Sequence, residues 1–305
     1  MREIDLSVSI GKLKLKNPVM LASGTVGYGN EISNFTDLSK IGAIVTKSVS
    51  LKPRKGNPPQ RIVETASGML NAIGLANVGL ETFIEEKIPF LEKVNSTLIC
   101  NIAASTIEEY VECTKTLNDQ DTVKAFEINV SCPNVREGGL VFGNDLKSVG
   151  RITEKVREVT DKPIIIKLSP NTADIKSFAK IVKDEGGDAV SAINTLVGTS
   201  FNIKTRKPKI FNVTGGLSGP AIKPVALAKV LEISRNVDIP IIGIGGIMDW
   251  KDAIEFMIAG ASAVQIGTVN FINPNAGVEI ISGMEEFCKQ ESINKISDLT
   301  ASYLI

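Results

Sequence analysis

Eight short apolar runs, spaced along the whole chain, constrain the fold more than any other feature of the sequence. They alternate with segments that have the amphipathic pattern of helices. The runs are Pro18–Ala22, Ala43–Thr46, Thr97–Cys100, Ala125–Ile128, Pro163–Ile166, Ala189–Ile193, Ile239–Ile242 and Ala263–Ile266. Continuous apolar runs separated by helices are typical of parallel strands covered on both faces. Eight such units predict an α/β fold, a (β/α)8 barrel of the TIM type, in a single domain over residues 1–305. A doubly wound open sheet is the alternative, but it does not require eight units.

The N-terminal segment and two long connections add to this framework. Asp5–Lys16 alternates apolar and polar residues around Gly11, which predicts a β-hairpin ahead of the barrel. The connection Ser48–Val78 is long and rich in Pro, Gly and Asn, and the long connection Leu196–Pro220 contains the basic residues Lys204, Arg206, Lys207 and Lys209. We expect them to be loops, and loops of this length within a domain are usually functional or disordered.

Charge and cysteine spacing exclude several classes of protein. Lys and Arg total 34, as do Asp and Glu, so the formal net charge is zero and we expect no nucleic-acid partner. The cysteines include no CxxC pair, so we expect no metal and no iron–sulfur cluster held by this chain. The N-terminal residues are charged and no apolar run is long enough to span a membrane. We therefore expect a cytoplasmic protein with reduced thiols.

Polar side chains and glycines follow the eight runs. In barrels of this type the chemistry lies at the carboxyl ends of the strands. The residues at these ends are Ser23, Lys47, Ser48, Asn101, Asn129, Lys167, Asn194, Thr195, Gly245, Gly246, Gly267 and Thr268. Such a ring predicts a polar ligand. The glycines of the last two strands indicate a phosphate site, although tight turns without a ligand are the alternative.

Two lysines and one cysteine in this region are candidates for chemistry. Lys47 and Lys167 suggest two anionic ligand features, such as a substrate carboxylate and a reduced cofactor ring; lysines extended to solvent at the rim are the alternative. The chain has no histidine, so Cys132, on a loop after a strand, is the best candidate for proton transfer. A small buried apolar residue is the alternative for Cys132. We interpret Cys100, Cys113 and Cys288 as packing residues.

Several motifs, in order, resemble the dihydroorotate dehydrogenase family. They are Asn129-Val-Ser-Cys-Pro-Asn134, Ile166-Lys-Leu-Ser-Pro-Asn171, Ile193-Asn-Thr195, Thr214-Gly-Gly-Leu-Ser-Gly-Pro-Ala-Ile-Lys-Pro224, Ile244-Gly-Gly246 and Gly260-Ala-Ser-Ala-Val-Gln-Ile-Gly-Thr268. The stretch Ser67–Leu75 is similar to the NAD-linked, two-subunit type of this family. The resemblance implies a catalytic chain that carries one FMN and oxidises dihydroorotate to orotate in pyrimidine (UMP) biosynthesis. It also implies a partner subunit with FAD and a [2Fe–2S] cluster that passes electrons to NAD, and a heterotetramer built on a homodimer of this chain.

The resemblance implies a role for each matching position. Cys132 takes the C5 proton of dihydroorotate, FMN takes the C6 hydride, and Lys167 binds the pyrimidine edge of the flavin. The implied FMN contacts are Ser23, Lys47, Ser48, Asn101, Asn129, Lys167, Ile193, Gly219, Gly245, Gly246, Gly267 and Thr268. The implied substrate contacts are Lys47, Asn71, Ala72, Ile73, Gly74, Leu75, Asn129, Asn194 and Thr195. The loop 133–143 is a candidate lid.

Other functions share parts of this pattern. One is a fumarate-linked dihydroorotate dehydrogenase, which Met69–Ile73 disfavours. Another is a different FMN barrel enzyme such as a tRNA-dihydrouridine synthase, which the zero net charge disfavours. A non-redox barrel that binds a phosphorylated metabolite and a non-catalytic binding subunit are the remaining alternatives.

Overall fold

The computed structural model describes residues 4–130, 136–137, 140–141 and 145–304. Within this part of the chain, eight parallel strands close into a barrel in chain order. The barrel strands are β3 (Val19–Leu21), β4 (Ala43–Val45), β7 (Thr97–Ile102), β8 (Val123–Asn129), β11 (Ile164–Lys167), β12 (Ala189–Ala192), β15 (Ile241–Ile244) and β16 (Ala263–Ile266). The predicted (β/α)8 barrel is confirmed. Between β8 and β11, the short strand β9 (Arg136–Glu137) pairs with β10 (Leu140–Val141) in antiparallel register. The predicted base Cys132 and most of the candidate lid 133–143 lie outside the described residues.

Among the residues described, only the 3-10 helix Leu38–Lys40 lies between β3 and β4, whereas α-helices follow every later barrel strand and cover the outside of the barrel. They are α1 (Leu80–Thr82), which continues through a π-helical turn (Phe83–Lys87) into α2 (Ile88–Leu91), then α3 (Ile107–Asn118), α4 (Leu146–Arg157), α5 (Ile175–Asp184), α6 (Lys223–Ser234), α7 (Trp250–Ile258) and α8 (Ala276–Gln290). Short 3-10 helices lie at Leu38–Lys40, Pro220–Ile222, Thr268–Phe271 and Ile296–Leu299. None of the helices in the described part is long and apolar enough to cross a membrane.

The predicted N-terminal hairpin is present. β1 (Val8–Ile10) pairs with β2 (Leu13–Leu15) in antiparallel register, and the residues that alternate as apolar are buried. Gly11 makes the turn with φ of +56°, a conformation that glycine adopts without steric cost. Its Cα faces Asp188, which immediately precedes β12, so the hairpin lies at the amino end of the barrel, opposite the strand ends that carry the polar ring.

The expectation that the two long connections are loops was wrong for part of each, because each contributes two strands. They form a four-stranded antiparallel sheet in the order β13 (Leu196–Thr199), β14 (Thr214–Ser218), β6 (Gly68–Asn71) and β5 (Ile62–Thr65). Its central pair joins residues about 150 positions apart in sequence, as Met69 pairs with Ser218. Glycine-rich β14 has a low strand propensity, and the stability of such a strand comes from pairing that a local pattern does not reveal.

Side-chain caps mark the starts of α3 and α7. Asp249 caps α7 by accepting hydrogen bonds from the backbone N–H groups of Lys251 and Asp252. At α3 the cap is Thr106, which accepts from the Glu109 backbone N–H, and the Glu109 carboxylate in turn accepts from the Ser105 backbone N–H. The two hydrogen bonds are reciprocal as in a capping box, except that the carboxylate accepts from the residue that precedes the cap.

Candidate active site

A cavity of about 540 Å³ opens at the carboxyl ends of the barrel strands. Its floor and walls are the strand ends, and the sheet formed by β5, β6, β13 and β14 covers one side. This volume is within the range of small-molecule and cofactor sites. The predicted site residues that line it are Ser23, Lys47, Ser48, Asn71, Ala72, Ile73, Gly74, Leu75, Asn129, Lys167, Ile193, Asn194, Thr195, Gly219, Gly245, Gly246, Gly267 and Thr268.

Asn101 is placed differently from the other predicted contacts within the described residues. It is fully buried and lies behind the cavity wall, where its side-chain oxygen accepts a hydrogen bond of 2.6 Å from the Ser48 hydroxyl. Ser48 itself lines the cavity. Asn101 therefore orients a wall residue from the layer below.

Glycines shape the end of the cavity beside β15 and β16. Gly246 has φ of +74°, and a Cβ at this position would lie 2.8 Å from the Gly219 carbonyl oxygen. Gly267 differs, because a Cβ there would meet only Ala22 and Thr25 side chains at 3.7 Å, and both residues line the cavity. The methyl group that glycine lacks would occupy ligand space at Gly267 and would strain the backbone at Gly246.

A buried carboxylate lies directly beneath the cavity. Glu127 on β8 is fully buried, and its Oε1 accepts from Asn101 Nδ2 at 2.6 Å. Its Oε2 accepts from Ser191 Oγ at 2.9 Å and from Gln265 Nε2 at 2.6 Å. The barrel register explains this convergence, because Asn101 and Glu127 are paired positions on adjacent strands.

Lys167 connects this buried layer to the cavity. It ends β11, its side chain is 8% exposed, and its Nζ lies 3.5 Å from Glu127 Oε1. Unlike Glu127, Lys167 lines the cavity. A lysine in such a place is not a rim residue extended to solvent. Its ammonium group is held between a buried carboxylate below and the ligand space above.

Lys47 is the second cation of the cavity. It follows β4, it is half-buried, and its backbone N–H donates to the Gly27 carbonyl at 2.8 Å. Burial lowers the pKa of Lys47 below its ordinary value of 10.5, and the nearby Glu31 carboxylate partly opposes that change. The geometry therefore presents a desolvated ammonium group to any anionic ligand.

Side-chain amides line the wall between the two lysines. Asn71, on the covering sheet, donates to the Gly216 carbonyl at 3.1 Å. Asn194 Nδ2 lies 3.4 Å from Asn129 Oδ1, and the side-chain oxygen Oδ1 of Asn194 accepts from the Thr195 backbone N–H at 2.8 Å. Amides both donate and accept, so this wall suits a planar ligand with alternating N–H and C=O groups.

The described cysteines fit the packing role predicted for them. Cys100, Cys113 and Cys288 are all buried. Burial raises the pKa of Cys100 and of Cys113 to about 12, which keeps both thiols protonated at neutral pH.

Sequence reasoning missed part of this site. It assigned no role to Glu127, Ser191 or Gln265, although each is a polar residue inside an otherwise apolar strand, and that interruption was a usable signal. It also missed lining residues of the covering sheet and its flanks, among them Asn212. The Asn212 side-chain oxygen is buried without a hydrogen-bond partner in the described structure and lines the cavity.

Together, the fold and cavity define a (β/α)8 barrel enzyme site with a glycine cradle on its last two strands and two cations facing a wall of amides. The family model of dihydroorotate dehydrogenase matches residues 5–288. The chain belongs to the dihydroorotate dehydrogenase family.

Relatives of nearly equal length support this assignment. The chain is 54% identical over 298 residues to the protein named dihydroorotate dehydrogenase B (NAD(+)), catalytic subunit, of Pelobacter propionicus, with 98% of both chains covered. It is 51% identical over 305 residues to the protein of that name from Geotalea daltonii, with both chains fully covered. It is 52% identical over 299 residues to that of a Thermoanaerobacter species, with 98% of this chain and 99% of the relative covered.

Proposed function

We propose that this chain is the FMN-containing catalytic subunit of an NAD-linked dihydroorotate dehydrogenase, which oxidises (S)-dihydroorotate to orotate in pyrimidine biosynthesis. The observation that carries the proposal is the convergence of independent evidence on one cavity. Apart from Asn101, the strand-end residues implied by the family resemblance line a single space, and the relatives from Pelobacter propionicus and Geotalea daltonii that carry this name are similar over at least 98% of this chain.

The cavity fits FMN in three respects. The glycine cradle formed by Gly245, Gly246 and Gly267 leaves room for a phosphate beside β15 and β16. Lys167 places an ammonium group where a reduced, anionic flavin ring gains from positive charge. The buried Asn212 side-chain oxygen has no protein partner among the described residues, as expected where a ligand supplies the donor.

The substrate is proposed to lie against the amide wall. Lys47 would bind the carboxylate of dihydroorotate, since burial strengthens the interaction of its ammonium group with an anion. Asn71, Asn129 and Asn194 would pair with the ring N–H and C=O groups. The backbone of residues 72–75 would close the remaining side.

The chemistry requires one base and one hydride acceptor. FMN, when bound, supplies the acceptor for the hydride that leaves C6. We propose that the Cys132 thiolate removes the C5 proton, so that the C5–C6 bond becomes the double bond of orotate and the proton resides on sulfur. The described part of the chain contains no histidine, and Cys100 and Cys113 are too deeply buried and too weakly acidic to take this role.

A partner subunit is part of the proposal. The relatives are named catalytic subunits, which supports a separate subunit that receives electrons, and we assign to it FAD and a [2Fe–2S] cluster that deliver electrons to NAD. Phe271 and Ile272 lie beside the cavity, and they are 54% and 70% exposed in this chain. Large apolar side chains exposed side by side support a partner subunit that covers this edge. We propose a homodimer of this chain flanked by two such partners.

An anaerobic visible spectrum of the purified chain, recorded before and after addition of dihydroorotate, tests the proposal. We expect flavin absorption bands that bleach on addition. Bands that persist after the addition would support the flavin assignment but exclude dihydroorotate as the reductant. A chain that stays colourless and binds no added FMN would contradict the flavin assignment and favour a non-redox barrel.

A further inference from the structure

We infer that Glu127 is a positioning residue that sets both the location and the electrostatic effect of Lys167 on the bound flavin ring. The inference rests on the proposed function, because it concerns the same cavity. It assigns a role to a residue that neither contacts the cavity nor belongs to the residues implied by the family resemblance.

The first support is the set of hydrogen bonds that the Glu127 carboxylate accepts. Its two carboxylate oxygens accept hydrogen bonds from four side chains, namely Asn101 Nδ2, Ser191 Oγ, Gln265 Nε2 and Lys167 Nζ. The side chains around it come from β7, β12, β16 and β11. A carboxylate that accepts from four strands in a fully buried place has one orientation, and it presents Oε1 to Lys167.

The second support is the position of Lys167 between two environments. Its Nζ lies 3.5 Å from Glu127 Oε1, longer than the other three contacts, and its side chain lines the cavity. A tightly bound pair would hold the ammonium group below the cavity wall. The longer contact still offsets the buried negative charge, and it leaves the ammonium group free to donate to a ligand in the cavity.

The electrostatic consequence follows from this geometry. Lys167 favours a reduced flavin because its positive charge stabilises negative charge on the ring. Glu127 opposes part of that effect, because its buried negative charge lies 3.5 Å from the same ammonium group. Removing the charge of Glu127 without removing its volume should therefore make reduction of the flavin more favourable.

A purely structural role for Glu127 makes a different prediction. If the carboxylate only holds the barrel strands together, an isosteric neutral residue would change stability and leave the flavin potential unchanged. The potential of bound FMN thus separates positioning from packing, and it does not depend on turnover.

Glu127→Gln is the decisive variant, and the layer can accommodate it. An amide nitrogen in place of Oε2 can donate to the Ser191 hydroxyl and, after a flip of the neighbouring amide, to Gln265 Oε1. That oxygen is buried without a partner in the described structure. The oxygen that remains can still accept from Asn101 and Lys167. We therefore expect Glu127→Gln to fold and to bind FMN.

The measurement is the midpoint potential of the FMN-loaded chain, with the affinity for sulfite as a second readout. Sulfite adds to oxidised flavins more tightly where positive charge faces the ring. In Glu127→Gln we expect the reduction equilibrium to shift by about tenfold in favour of reduced FMN, which for two electrons is about 30 mV. We expect sulfite to bind roughly tenfold more tightly.

Two further variants complete the test. Glu127→Asp keeps the charge but withdraws it from Lys167, so we expect a shift in the same direction of about threefold; this variant serves if Glu127→Gln does not fold. Ser191→Ala removes one donor and no charge, and we expect its potential to match wild type. If both Glu127→Gln and Glu127→Asp bind FMN with the midpoint potential of the wild-type chain, the inference is overturned and the proposed function is not affected. A wild-type chain without flavin would instead overturn the proposed function.

Discussion

The ammonium nitrogen of Lys167 lies 3.5 Å from Oε1 of Glu127, and the Glu127 side chain is fully buried. This pair joins the polar layer inside the barrel to the cavity above it. Breaking a buried pair by removing one partner leaves an uncompensated charge, which is costly, whereas removing both partners can be nearly neutral.

Lys167→Met should therefore destabilise the chain strongly. We expect a loss of about 3–5 kcal/mol in the free energy of unfolding, measured by urea denaturation without FMN. The double variant Lys167→Met/Glu127→Gln should regain at least about half of that loss, because no buried charge is left unpaired. A double variant as unstable as the single one would show that the charge of Glu127 is not the cause.

Two glycine substitutions should separate backbone strain from loss of ligand space. Gly246→Ala forces a Cβ into a residue with φ of +74° and within 2.8 Å of a carbonyl oxygen. We expect it to cost at least about 1–2 kcal/mol of stability. Gly267→Ala has a negative φ of −120° and no Cβ contact closer than 3.7 Å, so it should cost less stability than Gly246→Ala, while its FMN dissociation constant rises at least about tenfold. Thermal unfolding and flavin titration would measure the two effects; equal loss of stability in both variants would contradict this distinction.

The binding of orotate should weaken with rising pH because of Lys47. The protonated lysine binds the carboxylate, and burial lowers the pKa of Lys47 in the free chain below 10.5. The affinity for orotate should therefore begin to fall at a lower pH than it would if Lys47 had the pKa of an ordinary lysine. Lys47→Met should bind orotate at least about tenfold more weakly at pH 7 and lose the alkaline decline. Lys47→Arg, which stays charged, should lack the decline too. Fluorescence titrations from pH 7 to 10 would test this, and an unchanged decline in Lys47→Met would exclude Lys47.

Alkaline pH should destabilise the fold through two buried thiols. The pKa of Cys100 and of Cys113 is raised by burial from 9.0 to about 12. Between these values the unfolded chain loses protons that the folded chain retains, so stability is unaffected below pH 9 and falls above it. The slope is about 1.4 kcal/mol per pH unit for each thiol. Urea unfolding at pH 8, 9 and 10 should show the fall, and the variant Cys100→Ala/Cys113→Ala should flatten it. A slope unaltered by both substitutions would assign the effect to other groups, such as Cys288, whose pKa burial raises above its ordinary value of 9.0.

Cys132→Ala should keep FMN and lose proton abstraction. We expect flavin reduction by dihydroorotate to slow by at least about 10²-fold in anaerobic stopped-flow experiments. Cys288→Ala is the matched control, since Cys288 is buried on α8 and should leave the rate unchanged. Undiminished reduction in Cys132→Ala would remove this thiol from the proposed mechanism.

Local patterns predicted the barrel well because each parallel strand is buried on both faces. The run Ala263–Ile266 coincides with β16, and the other seven runs overlap their strands. The largest shift is at β15, which begins at Ile241 and not at Ile239, since Pro240 has no N–H to donate to a neighbouring strand. The antiparallel sheet was missed because Gly215 and Gly216 in β14 carry no local strand signal.

The same contrast holds at the site. The strand-end rule located Lys47, Asn129 and Lys167 correctly at the cavity, because in a closed barrel all carboxyl ends face one side. It could not place Asn101 behind the wall, since depth within the barrel depends on strand register and tilt.

The sequence by itself determined the eight-stranded barrel, the hairpin at its amino end and the side on which the ligand cavity opens. These follow from burial patterns and turn residues that act within a few positions of one another. Only the tertiary structure decided that Glu127, Gln265 and Ser191 meet beneath Lys167, and that distant segments pair to cover the cavity. Register between strands far apart in sequence creates those contacts, and a single sequence does not encode that register in any local pattern.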